Sequence, residues 1–403
     1  MPRALLPIFL IVLVDILGMT LILPLLPFYA EHFGASPAVV GMLGATFAAC
    51  QLVSGPVLGQ LSDRFGRRRM LLVSQAGTFA GFLLLARAET LWLVFLARVI
   101  DGATAGNLSI AQAYITDVTP PHQRARAFGV IGVSFGLGFL LGPAVSGWLA
   151  QHDPRWPVYA AAALSATSIL ATATLLREPA THAAGDEAEA PAAPGGTRIG
   201  MLEWSRYAAY LRRPSLGPML ALFLCFALSF SLFSSGFALF AERRFRTAAG
   251  LPYGVREVGY VLAYTGFLGI FLQGGLVGRA VKRWGEHPVV GVGFALMSAG
   301  YLLLAPAATH RELLVAATVG GVGMSLVRAP LTAMITAVCA RDEQGLVLGL
   351  TQSMTSLAQI AGPLTAGAII EDGRLRTWAV AAALPGLLAL PIWRSVRGGR
   401  VAA

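Results

Sequence analysis

The chain has 403 residues, of which 56% are hydrophobic and only 12% charged, and its mean hydropathy is +0.68. A composition this apolar excludes an ordinary soluble protein. The net charge of +10 suggests nucleic acid, but the charges lie in short segments between long apolar runs, which argues against a nucleic-acid partner.

Apolar runs of about 20 residues recur along the chain, each long enough to cross a bilayer core. Without water in that core, the runs must be helices or a closed barrel, and their continuous apolar character favours helices. The first run has no small-residue cleavage site behind it, so we interpret it as a retained span. We predict an all-α integral membrane protein with twelve transmembrane helices at 5–28, 38–61, 70–88, 91–116, 125–150, 157–176, 216–240, 255–278, 288–307, 312–338, 345–369 and 377–394.

The basic residues indicate an orientation. With the N-terminus inside, most lysines and arginines fall in cytoplasmic segments, as the positive-inside rule requires. We therefore predict a multi-pass protein of the cell inner (plasma) membrane with both termini cytoplasmic. One loop predicted to lie outside disagrees, because it carries four arginines that are only partly offset by Glu242 and Glu257: Arg243, Arg244, Arg246 and Arg256.

The sequence predicts no cofactor, no metal and no enzymatic activity. Cys50, Cys225 and Cys339 lie in apolar runs without pairing or metal spacing, and the histidines form no metal constellation. No GxxxxGK[ST] loop is present, which excludes ATP-driven pumping by this chain alone. No Ser/His/Asp grouping indicates a membrane enzyme.

A polar segment divides the chain into two halves. Residues 181–198 are rich in Ala, Pro and Gly and are predicted to form a flexible linker. The following stretch, MLEWSRYAAYLRRP, has the spacing of a helix lying on the inner membrane surface. We predict an N-terminal six-helix half at 1–176, a cytoplasmic linker at 177–214 and a C-terminal six-helix half at 215–403.

Short motifs recur in both halves at a nearly constant offset. LGQLSDRFGRR (58–68) aligns with VGRAVKRWGEH (277–287), and GPAVSG (142–147) aligns with GPLTAG (362–367). QRARAFG at 123–129 matches a segment beginning at Gln344 less closely. A constant offset across separate motifs indicates duplication, which is typical of a transporter with its site at the interface between repeats.

The same motifs resemble those of a known family. GQLSDRFGRRR (59–69) resembles the loop 2–3 signature of the major facilitator superfamily, and GLGFLLGPAVSG (136–147) resembles the fifth-span signature of its drug:proton antiporters. RVIDGATAG (98–106) resembles their fourth-span pattern, and LVDILGMTLILPLLP (13–27) resembles the first span of tetracycline-type exporters. The third and ninth spans lack the acidic residues of those exporters, so the resemblance does not imply tetracycline as the substrate.

The loop 2–3 motif is interpreted as a conformational latch. We expect Gly59 to allow close helix approach, Gly66 to supply a tight turn, and Arg67 to pair with Asp63 and with Asp117 at the end of span four. The resemblance implies that Asp63 accepts from the N-terminus of span eleven, near Gln344, in the other half. Simple membrane anchoring with a helix cap is the alternative. The predicted latch residues are Gly59, Asp63, Arg64, Gly66, Arg67 and Asp117.

Glycines and a proline in span five predict tight packing and a bend. The resemblance implies a seal between the halves, with a second copy in span eleven, and an ordinary close helix crossing is the alternative. The predicted seal residues are Gly138, Gly142, Pro143, Gly147, Gly362 and Pro363.

Charged residues within predicted spans are the candidates for proton coupling, because a charge in the bilayer is costly and usually functional. Asp15 lies near the middle of span one, and a locked structural pair is the alternative to a proton carrier. Arg98 and Asp101 share a helix face. They either neutralise each other or form a site in which Asp101 takes a proton while Arg98 contacts substrate.

Polar and aromatic residues within the spans are candidates for a substrate cavity. Arg328 has no acidic neighbour in sequence, and its partner is Asp15, Asp101 or an anionic ligand. Phe233 belongs to a phenylalanine stripe that either faces a drug or packs in the core. The predicted cavity residues are Gln51, Asn107, Gln112, Phe233 and Arg328.

These patterns together predict a proton-coupled secondary transporter. It exports a small amphipathic or drug-like compound by alternating access, and its partners are the substrate, protons and the lipid bilayer, without nucleic acid. We expect the monomer to be functional. The alternatives are a carrier for an anionic metabolite and a non-transporting receptor or assembly partner on the same fold.

Overall fold

The computed structural model of the chain describes residues 5–119, 124–178, 210–339 and 343–396. All regular structure in these ranges is helical, apart from one isolated bridge between Arg246 and Pro252. The predicted linker and most of the predicted surface helix lie outside the described residues. The prediction of an all-α membrane protein is confirmed.

Helices fill the first sequence half almost completely. They are α1 (Leu5–Ile22), α2 (Leu26–His32), α3 (Pro37–Phe65), α4 (Arg67–Ala86), α5 (Leu91–Ala103), α6 (Asn107–Val118), α7 (Arg124–Leu149) and α8 (Trp156–Leu175).

The second half repeats this density of helices. A π-helical turn at Leu272–Leu276 joins the second and third of them. The helices are α9 (Gly217–Arg244), α10 (Val255–Phe271), α11 (Val277–Trp284), α12 (Glu286–Leu304), α13 (His310–Ala337), α14 (Gln344–Glu371) and α15 (Leu375–Ser395).

Ten helices within the described ranges are long and apolar enough to cross a membrane. The bent pair of α1 and α2, which meet at 44°, makes an eleventh if it is counted as one span. The predicted eleventh span coincides with α14, and the total of twelve stays a prediction. The fourth predicted span, 91–116, is among these ten as Leu91–Val118, although the chain leaves helical geometry between Ala103 and Asn107 within it.

The described residues form two compact units, one within Met1–Glu187 and Phe237–Phe267, the other within Ala188–Gly236 and Leu268–Ala403. These boundaries differ from the predicted halves, because the end of α9 and most of α10 pack with the first unit. In that unit, α1 packs on α7 and α8, and α4 packs on α5 and α8. The core of this unit consists of aliphatic side chains such as Ile8, Ile11, Leu71 and Ile110.

The second unit has its own close packing. The backbones of α12 and α13 meet at Gly300 and Gly320, where a methyl group on Gly300 would overlap the Gly320 backbone. The indole of Trp378, which is fully buried, donates to the Leu232 carbonyl over 3.1 Å and fixes α15 against α9. These contacts hold the helices of the unit close together.

Candidate functional site

A cavity of about 120 Å³ lies inside the first unit and contains two carboxylates. Asp15, from the middle of α1, and Asp101, from the last turn of α5, both line it. Four other residues of its wall carry polar side chains and three carry aromatic rings: Gln51, Thr78, Asn107, Ser165, Phe47, Phe82 and Phe135. The cavity therefore combines negative charge with a largely apolar wall, as small-molecule sites commonly do.

Neutral hydrogen-bonding groups surround Asp15. The side chains of Ser168 and Gln75 lie next to its carboxyl group. The Gln75 amide also donates to the Ser168 hydroxyl over 2.8 Å, and both residues are fully buried. Within the described part of the chain, no arginine or lysine contacts Asp15. Sequence reasoning missed Gln75 and Ser168, since single polar residues in apolar helices give no specific signal.

Asp101 has a different environment, because Arg98 lies one turn away on the same helix. The guanidinium is 3.1 Å from the Asp101 carboxylate, and both residues are buried. The guanidinium also lies over the Phe47 ring, at 5.6 Å from its centroid. An opposite charge at this distance favours the ionised carboxylate. The two acids of the cavity therefore differ: one is paired with a cation and the other is held by neutral groups.

The break between α5 and α6 opens the helix beside the cavity. Ser74 of α4 holds both sides of this break, because its hydroxyl donates to the Thr104 carbonyl and accepts from the Gly106 amide over 3.0 Å. Asn107 begins α6 and lines the cavity. Its buried side-chain oxygen has no hydrogen-bond partner among the described residues, which leaves an acceptor available at the cavity wall.

A second charged cluster lies at the turn between α3 and α4. Gly66 has a φ of +96°, which favours glycine. The Arg67 guanidinium is 2.5 Å from Asp63, in the last turn of α3, and 2.8 Å from Asp117 near the end of α6. It also donates to Ser62 over 2.7 Å. The structure thus brings together Asp63, Arg67 and Asp117.

Two members of the predicted latch behave otherwise. A methyl group built on Gly59 would meet no described atom within 4 Å, so the expected close helix approach at this glycine is wrong for the described part of the chain. Arg64 is exposed and lies outside the cluster. The Gln344 side chain, expected near Asp63, lies outside the described residues.

Glu178, which sequence reasoning missed, caps this turn from the end of α8. Its carboxylate accepts from the backbone amides of Arg67 and Arg68 over 2.5 and 3.2 Å. Conversely, the Arg68 guanidinium donates to the Thr172 and Ala173 carbonyls in the last turn of α8. Each helix end therefore receives the charge that its free backbone groups favour.

The predicted seal residues of α7 make close contacts on two sides. A methyl group on Gly142 would overlap the Thr20 hydroxyl of α1. Thr20 also donates to the Gly138 carbonyl over 2.9 Å. On another side, a methyl group on Gly147 would lie 3.1 Å from the Arg256 backbone at the start of α10. Pro143 lies within α7, and its carbonyl meets the same helix.

The second copy repeats one of these contacts. A methyl group on Gly362 of α14 would overlap the Ser231 hydroxyl of α9, as Gly142 relates to Thr20 in the first unit. Pro363 follows within the same helix. A small glycine facing a hydroxyl residue thus occurs at the corresponding position of each unit.

The remaining predicted cavity residues, Phe233, Gln112 and Arg328, do not line this cavity. Phe233 stacks on Tyr301, with ring centroids 4.6 Å apart, so its ring belongs to the packing of the second unit. Gln112 is exposed and does not line the cavity of the first unit. The side chain of Arg328, in the interior of α13, is also exposed on its unit.

Comparisons with known proteins identify the family of this chain. A sequence profile of the Major Facilitator Superfamily matches residues 8–279 and 256–400. The chain is 31% identical to the class C tetracycline resistance protein of Escherichia coli over 393 residues, which cover 95% of this chain and 94% of that protein. It is 26% identical to multidrug resistance protein 1 of Bacillus subtilis (strain 168), with coverage of 88% and 87%.

A solved structure shares the fold. The human organic anion transporter MFSD10 (TETRAN) superimposes with a TM-score of 0.69 at 23% identity, and the match covers 97% of this chain and 99% of that one. Asp15, Asp101 and the Gly66 turn all fall inside the residues that the family profile matches.

Proposed function

Because the chain belongs to the Major Facilitator Superfamily, we propose that this multi-pass membrane transporter exports a small amphipathic or drug-like compound in exchange for protons. Its relatives include drug-efflux proteins at about 30% identity. The observation that carries the proposal is the position of Asp15. Its carboxyl group lies in the middle of a membrane helix, lines a cavity and has neutral polar groups beside it. The protein acts as a monomer in the inner membrane, with both termini in the cytoplasm.

The physical reason is that the two carboxyl groups of the cavity differ in how easily they take up a proton. A carboxylate in a low-dielectric site with no cation beside it takes up a proton at little cost, whereas one paired with arginine resists protonation. A proton bound there changes the charge of the cavity and so biases two conformations of the carrier. Asp15 is therefore the proton carrier, and Asp101 with Arg98 is a fixed charge pair that contacts the substrate.

The two motifs around the cavity supply the conformational change. The cluster of Asp63, Arg67 and Asp117 acts as a latch on the side of the Gly66 turn. The glycines of α7 act as a seal and pivot, supported by the contacts of this helix with both α1 and α10. Rigid packing on small residues allows helices to rock without losing contact.

The test uses proteoliposomes with tetracycline as the first probe compound. An imposed pH gradient is expected to drive accumulation by the unaltered protein. Asp15→Asn is expected to lose accumulation and keep downhill exchange, because exchange requires only the alternating motion. Asp372→Asn, which alters a carboxylate exposed at 58%, is the matched control and keeps both activities.

Two results would contradict the assignment. If Asp15→Asn still concentrates the probe against its gradient, Asp15 is not the essential proton site. If accumulation is lost only in Asp101→Asn, the proton is carried by α5.

A carrier for an anionic metabolite is the second candidate. The observation that favours it is Arg328, a cation in the interior of a transmembrane helix with an exposed side chain. Intramembrane arginines of this kind commonly bind anionic groups.

A further inference from the structure

Arg243, at the end of α9, lies between two carboxylates that belong to different helices. Its guanidinium is 2.5 Å from Glu31 of α2 and 2.9 Å from Glu242, the preceding residue of its own helix. The side chains of Arg243 and Glu31 are 31% and 18% exposed, so water screens the pair only in part. One contact is local and the other joins two parts of the fold.

Glu31 stands on a short helix that is held firmly. The α2 helix continues α1 after the 44° bend. Its Tyr29, which is 3% exposed, donates from its hydroxyl to the Leu85 carbonyl over 2.9 Å. The Phe33 ring packs edge-on against Tyr29 at 5.2 Å. The carboxylate of Glu31 is therefore presented from a fixed position.

Arg243 is equally well supported. The chain turns back after it, and the Tyr253 amide donates to the Phe245 carbonyl over 3.3 Å. Rings of Phe240, Phe245 and Tyr253 pack in sequence, with centroids 5.8 and 5.5 Å apart. All three side chains are buried. This aromatic cluster keeps the end of α9 rigid.

The ion pair lies at the far end of α3 from the Gly66 turn. Helix α3 begins six residues after Glu31 with Pro37, and its 29 residues end at Phe65. At about 1.5 Å per residue the two ends are roughly 43 Å apart, more than the thickness of a bilayer core. The pair of Glu31 and Arg243 is therefore on the opposite side of the membrane from Arg67.

Other contacts on α10 join the same parts of the sequence. A methyl group on Gly259 would lie 3.2 Å from Gly147 of α7, and one on Gly266 would lie 2.6 Å from the Phe139 carbonyl. Within the first unit, residues 237–267 thus pack against helices of the first sequence half. An alternating-access carrier must separate these parts in order to open this side.

We propose that Glu31 and Arg243 form a clamp that holds this side of the carrier shut, with Glu242 as the standby partner of the arginine. When the clamp opens, Arg243 keeps Glu242, so that no cation is left unpaired at the membrane edge. Glu31 moves away with α2 into water, where a carboxylate is well solvated. The clamp rests on the proposed carrier function, because it has a role only if the two sides open in turn.

The experiment measures accessibility instead of transport. A variant without Cys50, Cys225 and Cys339 carries one cysteine in place of Met19, which lines the cavity. A membrane-impermeant thiol reagent is applied to vesicles from the clamp side. Glu31→Gln and Arg243→Gln are each expected to raise the labelling rate roughly three- to tenfold, as expected for loss of a partly buried ion pair.

Glu242→Gln is the matched control, since it removes a carboxylate of the same arginine and leaves the pair of Arg243 with Glu31. Glu242 also lies beside the Glu31 carboxylate, so this variant removes a repulsion between two carboxylates and no attraction between helices. Its labelling rate is expected to stay near that of the unaltered protein. The double variant Glu31→Arg with Arg243→Glu restores the opposite charges and is expected to return labelling toward the original rate. Size-exclusion profiles in detergent identify any variant that fails to fold. If a single variant fails to fold, the labelling rate of the double variant decides whether the ion pair holds this side shut.

Equal effects of Glu31→Gln and Glu242→Gln would overturn the clamp, and so would unchanged labelling in both Glu31→Gln and Arg243→Gln. Neither result bears on Asp15, because labelling requires no substrate and no pH gradient. Conversely, a different outcome is that the unaltered protein shows no proton coupling in the transport assay while Glu31→Gln still raises the labelling rate. That combination would refute the proton exchange and leave the clamp in place.

Discussion

Removal of the Glu178 carboxylate tests whether the cap at the Gly66 turn sets the conformational balance of the carrier. In Glu178→Ala, the amides of Arg67 and Arg68 lose their acceptor at the start of α4. Gly66, the residue before this helix, has no side chain to replace it. The backbone at Arg67 then loses a support, and we expect the ion pairs of the Arg67 guanidinium with Asp63 and Asp117 to weaken.

The magnitude follows from the two hydrogen bonds. Loss of a helix N-cap costs about 0.5–2 kcal/mol, and hydrogen bonds to a charged group contribute about 1.5–3 kcal/mol. Because the site is partly open to water, we expect about 1–2 kcal/mol for the pair. This corresponds to a shift of roughly 5- to 30-fold in the ratio of conformations if the cap is present in only one of them.

The assay is thiol accessibility from the side of the Gly66 turn, with Glu312→Ala as the matched control. Glu312 also accepts from two backbone amides at a helix start, those of Ala308 and Thr309 over 2.7 and 2.9 Å. Both variants lose a similar cap, but only Glu178→Ala is expected to change accessibility. Glu178→Gln keeps an acceptor oxygen and is expected to recover part of the effect. Equal changes in both alanine variants would refute the reasoning, because the loss would then reflect general stability.

Two further outcomes are expected from the charged residues. Asp63→Asn removes one of the two carboxylates of Arg67 and is expected to raise accessibility from the Gly66 side roughly tenfold, as for a charge-assisted contact; unchanged accessibility with lost transport would show that the cluster is no gate. Arg328→Ala is expected to weaken anionic probes at least tenfold more than cationic ones in a binding assay. An equal loss for all probes, together with a low folding yield, would make Arg328 a structural partner of a membrane carboxylate.

The location of the helices was predictable because the bilayer permits so few structures. Every predicted span falls on a helix, since an apolar run of about 20 residues must satisfy its backbone internally. The pairing of Arg67 with Asp63 was also predictable, because the two residues are only four apart in sequence and the Gly66 turn between them lets their side chains meet. These features depend on neighbours in sequence.

The features that sequence reasoning missed depend on distant residues. The break before Asn107 is stabilised by Ser74 from another helix, and the cap on α4 comes from Glu178, more than a hundred residues away. Likewise, no local pattern indicated that Arg243 meets Glu31. The expectation at Gly59 failed for the converse reason: a small residue permits close approach, but only the fold decides whether a neighbour is there.

The two charged clusters share a design that explains how a gate opens without stranding a charge. Arg67 has Asp63 one turn earlier in the chain and Asp117 on a distant helix; Arg243 has Glu242 beside it and Glu31 on a distant helix. An arginine with a single partner would leave an unpaired charge whenever the helices separated, and the cost of that charge near the membrane would hold the gate closed. A local carboxylate removes most of this cost, so that only the difference between two partners opposes opening. In the mechanism that we propose, the charge state of one cavity carboxyl supplies that difference. Asp15, which has no cation beside it among the described residues, is the group to which we assign this change of charge.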